Sequence, residues 1–234
     1  MTKGAPFYSD RSRYYVQTNN PTEQMLKKHA AVAVQYLKTH GVSDQLLKDS
    51  AIGSWLESCG GDAMTNCAAA LGKDFTVTCP GGFQPQTDEI VAGYLNDPRN
   101  YTKFLAARPD LDPNLPATPP GNRIPQYFPL AAREVFGIAG KYTELPVSTL
   151  EKPMYDYLWS AVMNELLSEH PVQLCLINPG HYIAAVAFDM DADEIIINDS
   201  WPGRFTDGLG GFNRRLPKSE VTNLRNFIVA YQEA

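Results

Sequence analysis

Cys59 and His181 are the residues whose types and settings point to chemistry. Cys59 stands in Ser58-Cys59-Gly60-Gly61, ahead of a run that reads as a helix. A cysteine at a helix N-terminus lies beside unpaired backbone N–H groups and the positive end of the macrodipole, both of which favour the thiolate. The same N–H groups can hold an oxyanion, and Gly60 and Gly61 leave space for a substrate carbonyl to approach. His181 follows the turn Asn178-Pro179-Gly180 and opens the apolar run 182–188, which would hold its imidazole at a sheet end. A histidine there can take the thiol proton and return it to a leaving group.

The third group follows from connectivity. Residues 194–198 form a second extended run, joined to the first by a short turn at 189–193. In an antiparallel hairpin the end of that run returns beside the start of the first, so Asn198 or Asp199 lies near His181. A carboxylate or amide at that point accepts the ring N–H, fixes the tautomer and stabilises the imidazolium. Cys59 as nucleophile, His181 as base and Asp199 as orienting residue is the expectation, with Gly60 at the oxyanion site and Asn198 as a second orienting candidate.

Other residues of these types read differently. Cys67 lies on a face of alanines and Cys175 within an apolar strand, as expected of inert core thiols; Cys67 is the rival nucleophile if the helix starts later. His29, His40 and His170 have no ligand spacing to a cysteine, so no metal is expected. Asp189, Asp191 and Asp193 invite a calcium reading, but the glycine of an EF-hand loop is missing, and a charged hairpin tip is the simpler account. Arg204, Arg214 and Arg215 either bind an acidic group of a substrate or decorate a solvated loop. Trp55 and Trp201 either wall a cleft or pack beside it.

The elements that must position these groups are legible from periodicity. Apolar positions Leu26, Ala30, Ala33, Val34 and Leu37 predict an amphipathic helix that Gly41 closes, with Lys27, Lys28 and Lys38 on its other side. Ala63, Cys67, Ala70 and Leu71 recur at helical spacing after Cys59, giving a small-residue face that can approach a sheet closely. Met154, Tyr157, Leu158, Ala161, Val162 and Glu165 mark another helix, ending before Pro171. Runs 172–177, 182–188, 194–198 and 226–232 predict strands. Helices first and an antiparallel sheet afterwards give an α+β order. Between them, from about residue 80 to 150, composition shifts to Pro, Asn and Asp, with seven prolines from Pro109 to Pro129 and short helices near 88–95 and 101–107. This stretch reads as an insertion into a single domain spanning 1–234, placed to rim a cleft.

Bulk properties exclude several classes. The chain has 234 residues, 44% of them hydrophobic, and a formal net charge of −6. That is enough to bury a full core, and it offers no basic footprint for nucleic acid or an anionic membrane. No run reaches the length of a bilayer span, and the start lacks a basic segment followed by an apolar one, which predicts a cytoplasmic protein with phage-type release as the alternative. Four cysteines without a CxxC pair fit reduced thiols.

Ser58-Cys59-Gly60-Gly61-Asp62-Ala63, then Gly180-His181-Tyr182 with its apolar strand, then Asn198-Asp199-Ser200-Trp201 together resemble the C39-like group of papain-fold cysteine peptidases. The likeness covers about residues 54–72 and 172–203. It implies a papain-like α+β fold with a central helix on an antiparallel sheet, a Cys-His-Asp triad at Cys59, His181 and Asp199, a thioester intermediate and no cofactor. The substrate it implies is a peptide or peptidoglycan-like amide, cut by a processing peptidase or a phage-type lytic enzyme. An acyl transferase of the same fold and a catalytically inactive binding module are the alternatives. Two positions depart from the family pattern. Gly53 and Ser54 stand where a glutamine often donates to the oxyanion, leaving Ser54 as the candidate there, and Gly61-Asp62 replace the usual Pro-Thr.

Overall fold

A computed structural model describes residues 2–4, 35, 38, 59–73, 75, 90–91, 94–95, 97–111, 124–145, 152–201 and 211–234. Its centre is a mixed-order antiparallel sheet of seven strands: β1 (Thr2–Gly4), β2 (Ile138–Glu144), β3 (Val172–Leu176), β4 (His181–Asp189), β5 (Glu194–Asn198), β6 (Arg214–Pro217) and β7 (Phe227–Glu233). The spatial order is β2-β7-β3-β4-β5-β6, and β1 pairs with the far half of β4, from Ala187 to Asp189. The expected strands at 172–177, 182–188, 194–198 and 226–232 are all present to within a residue or two.

β3 and β4 are buried at almost every position, which explains their continuous apolar runs: both faces of the sheet are covered. Helix α1 (Cys59–Ala70) packs on one face, joined there by α3 (Phe128–Phe136). Ala63, Cys67, Ala184, Val186, Val229 and Tyr231 belong to that layer of core. All twelve residues of α1 are buried, so the helix is central rather than merely amphipathic. Helix α4 (Lys152–Leu167) covers the opposite face, where Leu158, Trp159, Val162 and Leu166 meet Leu174, Ile183, Ile195 and Ile197.

The structure differs from the sequence reading in several places, among them the unexpected strand β1 and helix α3. Tyr157, expected on the packed face of α4, is 61% exposed, because the buried stripe runs through Trp159 and Leu166 instead. The sheet does not begin at residue 172: Ile138–Glu144 pairs along its whole length with β7, so the end of the proline-rich stretch supplies an edge strand. Arg214 and Arg215 lie in the edge strand β6, where Arg215 bridges Asp189 at 3.1 Å and Glu194 at 2.6 Å; Arg204 lies outside the described residues.

Of the expected 20–41 helix, only Gln35 and Lys38 are described, both helical and exposed. The proline-rich stretch contains α2 (Pro98–Ala107), started by the Asp97 side chain accepting the Arg99 N–H at 2.9 Å, with Pro98 in the first turn where its missing N–H costs nothing. Residues 90–91 and 94–95 are helical as well. Among the described residues no helix is long and apolar enough to cross a membrane.

Candidate active site

His181 is the first residue of β4 and Asp199 the first after β5. The β4–β5 register pairs Ala184 with Asn198. Extended by one residue it sets Asp199 opposite Ile183, making His181 its diagonal neighbour on the same face, within reach of a side-chain contact. The contact is made: His181 Nε2 and Asp199 Oδ1 are 2.6 Å apart, with the ring 3% and the carboxylate 0% exposed. The same Oδ1 accepts the Trp201 N–H at 2.8 Å, and the Asp199 N–H donates to Gly211 O at 2.9 Å. The Trp201 ring meets the imidazole edge-on, with centroids 5.5 Å apart. Bonding through Nε2 leaves Nδ1 as the nitrogen available to a second group.

Asn198 does something else. Its amide oxygen accepts the Asn213 N–H at 3.1 Å and ties β5 to the entry of β6, so the orienting contact to His181 is that of Asp199. The hairpin tip residues are engaged in structure. Asp189 Oδ1 accepts the Asp191 and Ala192 N–H groups, and Asp193 Oδ1 accepts the Trp159 indole N–H at 3.0 Å.

Cys59 begins α1, as the sequence predicts, and is 8% exposed. The first turn of α1 is tied to β3 by a buried side chain at Gln173, whose β4 partner is Ala184, three residues in from His181; Cys59 belongs to the α1 layer of core, whereas Leu176 and Ile183, which share the sheet face of His181, belong to the α4 layer. Gln173, on β3 and wholly buried, donates from Nε2 to Gly60 O at 2.9 Å. Its Oε1 accepts the Tyr231 hydroxyl at 2.6 Å. This chain of two hydrogen bonds runs from β7 through β3 to the first turn of α1, and no sequence pattern announces it. Gly60 is thus placed by its carbonyl, while the first N–H groups of α1 lack intrahelical acceptors. Ser54 lies outside the described residues.

Tyr182, next to His181, shares a core cluster with Cys59 and Cys175. Burial pushes its phenol far up, and the charges of Cys175 and Cys59 add to that while Arg225 opposes it. Cys175 is held above the ordinary thiol range by burial, against the charge and hydrogen bond of Arg225 and the His181 backbone N–H. Cys67 is raised by burial alone. Cys59, Cys67 and Cys175 are free thiols, and Cys79 lies outside the described residues.

No family model matches the chain. No curated protein matches it. Among solved structures it is similar to the N-terminal peptidase C39-like domain of a toxin secretion ATP-binding protein from Vibrio parahaemolyticus, at 14% identity and a TM-score of 0.31, over 56% of this chain and 92% of that domain. A likeness of that size bears on neither fold family nor activity, which must be argued from the site.

Proposed function

We propose that the protein is a papain-like cysteine hydrolase of the C39-like type, with Cys59 as nucleophile, His181 as base and Asp199 as orienting residue. The observation that carries this reading is the buried 2.6 Å His181–Asp199 contact at the start of β4, the strand on which α1 also packs. A buried imidazole with one nitrogen fixed on a carboxylate has its tautomer set, and its charged form is stabilised when it takes a proton.

The reaction runs through a thioester. The Cys59 sulfur attacks an amide carbonyl as His181 takes its proton, and the oxyanion is held by N–H groups at the start of α1. Collapse breaks the C–N bond, and the amine leaves with the proton held by His181. Water then attacks the thioester carbonyl, passing a proton to His181, and the acid departs as the thiol reforms. No cofactor takes part. The substrate is a peptide or a peptidoglycan-like amide.

The test is the pH dependence of iodoacetamide alkylation at each cysteine, read by peptide mass spectrometry in the wild type, His181→Ala and Asp199→Ala. Reaction at Cys59 well below the free-thiol pKa of about 8.5, lost in His181→Ala, is the expected result. A Cys59 no more reactive than Cys79 in all three proteins overturns the assignment and leaves the fold as a binding module.

A further inference from the structure

Most described cations of this acidic protein have a carboxylate beside them. Arg99 meets Asp97 and Arg108 meets Asp110, each at 2.7 Å, Arg133 meets Glu134 at 2.9 Å, and Arg215 meets Asp189 and Glu194. Arg225 does not: it is exposed and has no carboxylate partner among the described residues. It stands just before β7, its backbone N–H donating to Cys175 O at 2.8 Å, and its side chain is near enough to the Cys175 thiol to oppose the upward push of burial there. That sulfur also accepts the His181 backbone N–H, while its own S–H points to Leu176 O at 3.5 Å. The Arg225 side chain and the backbone of the base residue are therefore both neighbours of Cys175. Cys175 pairs across the β3–β4 ladder with Tyr182, whose phenol is close enough to feel the charges of both Arg225 and Cys59.

A neutral thiol is a weak acceptor and occupies little of a fork with five N–H donors. The residue is exposed, and its backbone bonds to Cys175, the neighbour of the Leu176 that pairs with His181, so Arg225 stands open to solvent at the sheet end where β4 begins. An unmatched guanidinium in a protein with 26 acidic and 20 basic residues is suited to a carboxylate from outside.

Resting on the hydrolase reading above, we infer that Arg225 is the anion-recognising residue of the Cys59 site, and that its substrates carry a carboxylate next to the amide bond to be cut. The carboxylate comes from an acidic side chain or from a free chain terminus, and both present the same planar pair of oxygens to the fork.

The experiment uses affinity labels, in which the Cys59 thiolate forms a C–S bond and expels iodide. Two pairs of probes separate the sources. Iodoacetyl-glycine against iodoacetyl-glycinamide varies a terminal carboxylate, and iodoacetyl-glutamate α-amide against iodoacetyl-glutamine α-amide varies a side-chain one. Rates at Cys59 are measured in the wild type, Arg225→Gln and Arg225→Lys, with the far-ultraviolet spectrum and melting temperature as the check on folding. In at least one pair the carboxylate member reacts about fivefold faster in the wild type, the advantage disappears in Arg225→Gln, and Arg225→Lys keeps part of it. The pair that responds names the source. His181 is unchanged in all three proteins, so the change on substitution is what reads Arg225. Equal ratios in the wild type and Arg225→Gln for both pairs overturn the inference while leaving Cys59 a nucleophile. A Cys59 inert to all four probes and to iodoacetamide removes the hydrolase reading, and the inference falls with it.

Discussion

Asp199 accepts two N–H donors on one oxygen, from the His181 ring and from the Trp201 backbone. That detail separates two substitutions. In Asp199→Asn the backbone donor selects the amide oxygen for this position, since an NH2 cannot face an N–H, so the imidazole keeps its tautomer and loses only a full negative charge. In Asp199→Ala the ring loses its partner altogether. The alkylation rate of Cys59 at pH 6 should fall about 10-fold in Asp199→Asn and about 100-fold to 10,000-fold in Asp199→Ala. Equal losses in the two variants would show that the carboxylate acts through charge and not through orientation. Cys67 and Cys175 serve as internal controls, because burial holds both thiols neutral through neutral pH.

Among the elements, the position of α1 depends on the Tyr231–Gln173–Gly60 chain, and its parts should not behave independently. Tyr231→Phe strands a buried Gln173 oxygen, and Gln173→Leu strands the Tyr231 hydroxyl; each should lower stability by about 1–3 kcal/mol in urea unfolding. The double variant removes both polar partners at once, and its cost should be well under the sum of the singles. An additive result would mean that the two bonds are not coupled. Gly140 tests a second joint. A Cβ there would meet Pro129 Cα at 2.8 Å, where β2 passes under α3, so Gly140→Ala should cost about 1–3 kcal/mol by overpacking. Gly180→Ala meets nothing within 4 Å and serves as the neutral comparison.

These joints also show what could be read from the chain alone. The His181–Asp199 contact was legible because a short hairpin leaves little freedom: once 181–189 and 194–198 are strands, their ends must meet. The start of α1 at Cys59 was legible from its glycines and the small-residue repeat. Gln173 was not, since its partner Gly60 is 113 positions away and a single polar residue in an apolar strand has no periodic signature. Nor was β2: Ile138–Glu144 is an edge strand with one buried residue, and the Pro, Gly and charged residues around it read as loop. The face of α4 was misjudged at Tyr157 because Trp159, which buries its ring by donating to Asp193 on a distant hairpin, rotates the stripe.

At the scale of the whole molecule, the core layer between the sheet and helices α1 and α3 holds phenols and a thiol buried among apolar side chains. Burial pushes Tyr127, Tyr182, Tyr231 and Cys67 upward as its largest effect in each case. In the unfolded chain these groups ionise near their ordinary values, about 10 for tyrosine and about 8.5 for cysteine. Above those values the unfolded state has lost protons that the native state retains, so stability is fully present below about pH 8.5 and falls as pH rises. The urea midpoint should therefore hold steady from pH 7 to 8 and decline progressively toward pH 11. Tyrosinate absorbance should follow in two stages: one at ordinary pH from accessible phenols, and a second that appears only as the sheet opens. Complete ionisation of all 12 tyrosines in a single step, with far-ultraviolet circular dichroism still native, would mean that the layer between the sheet and α1 breathes enough to hydrate its centre. Such a molecule could not keep the His181–Asp199 pair dry, so the alkaline titration tests the same closure on which the proposed chemistry depends.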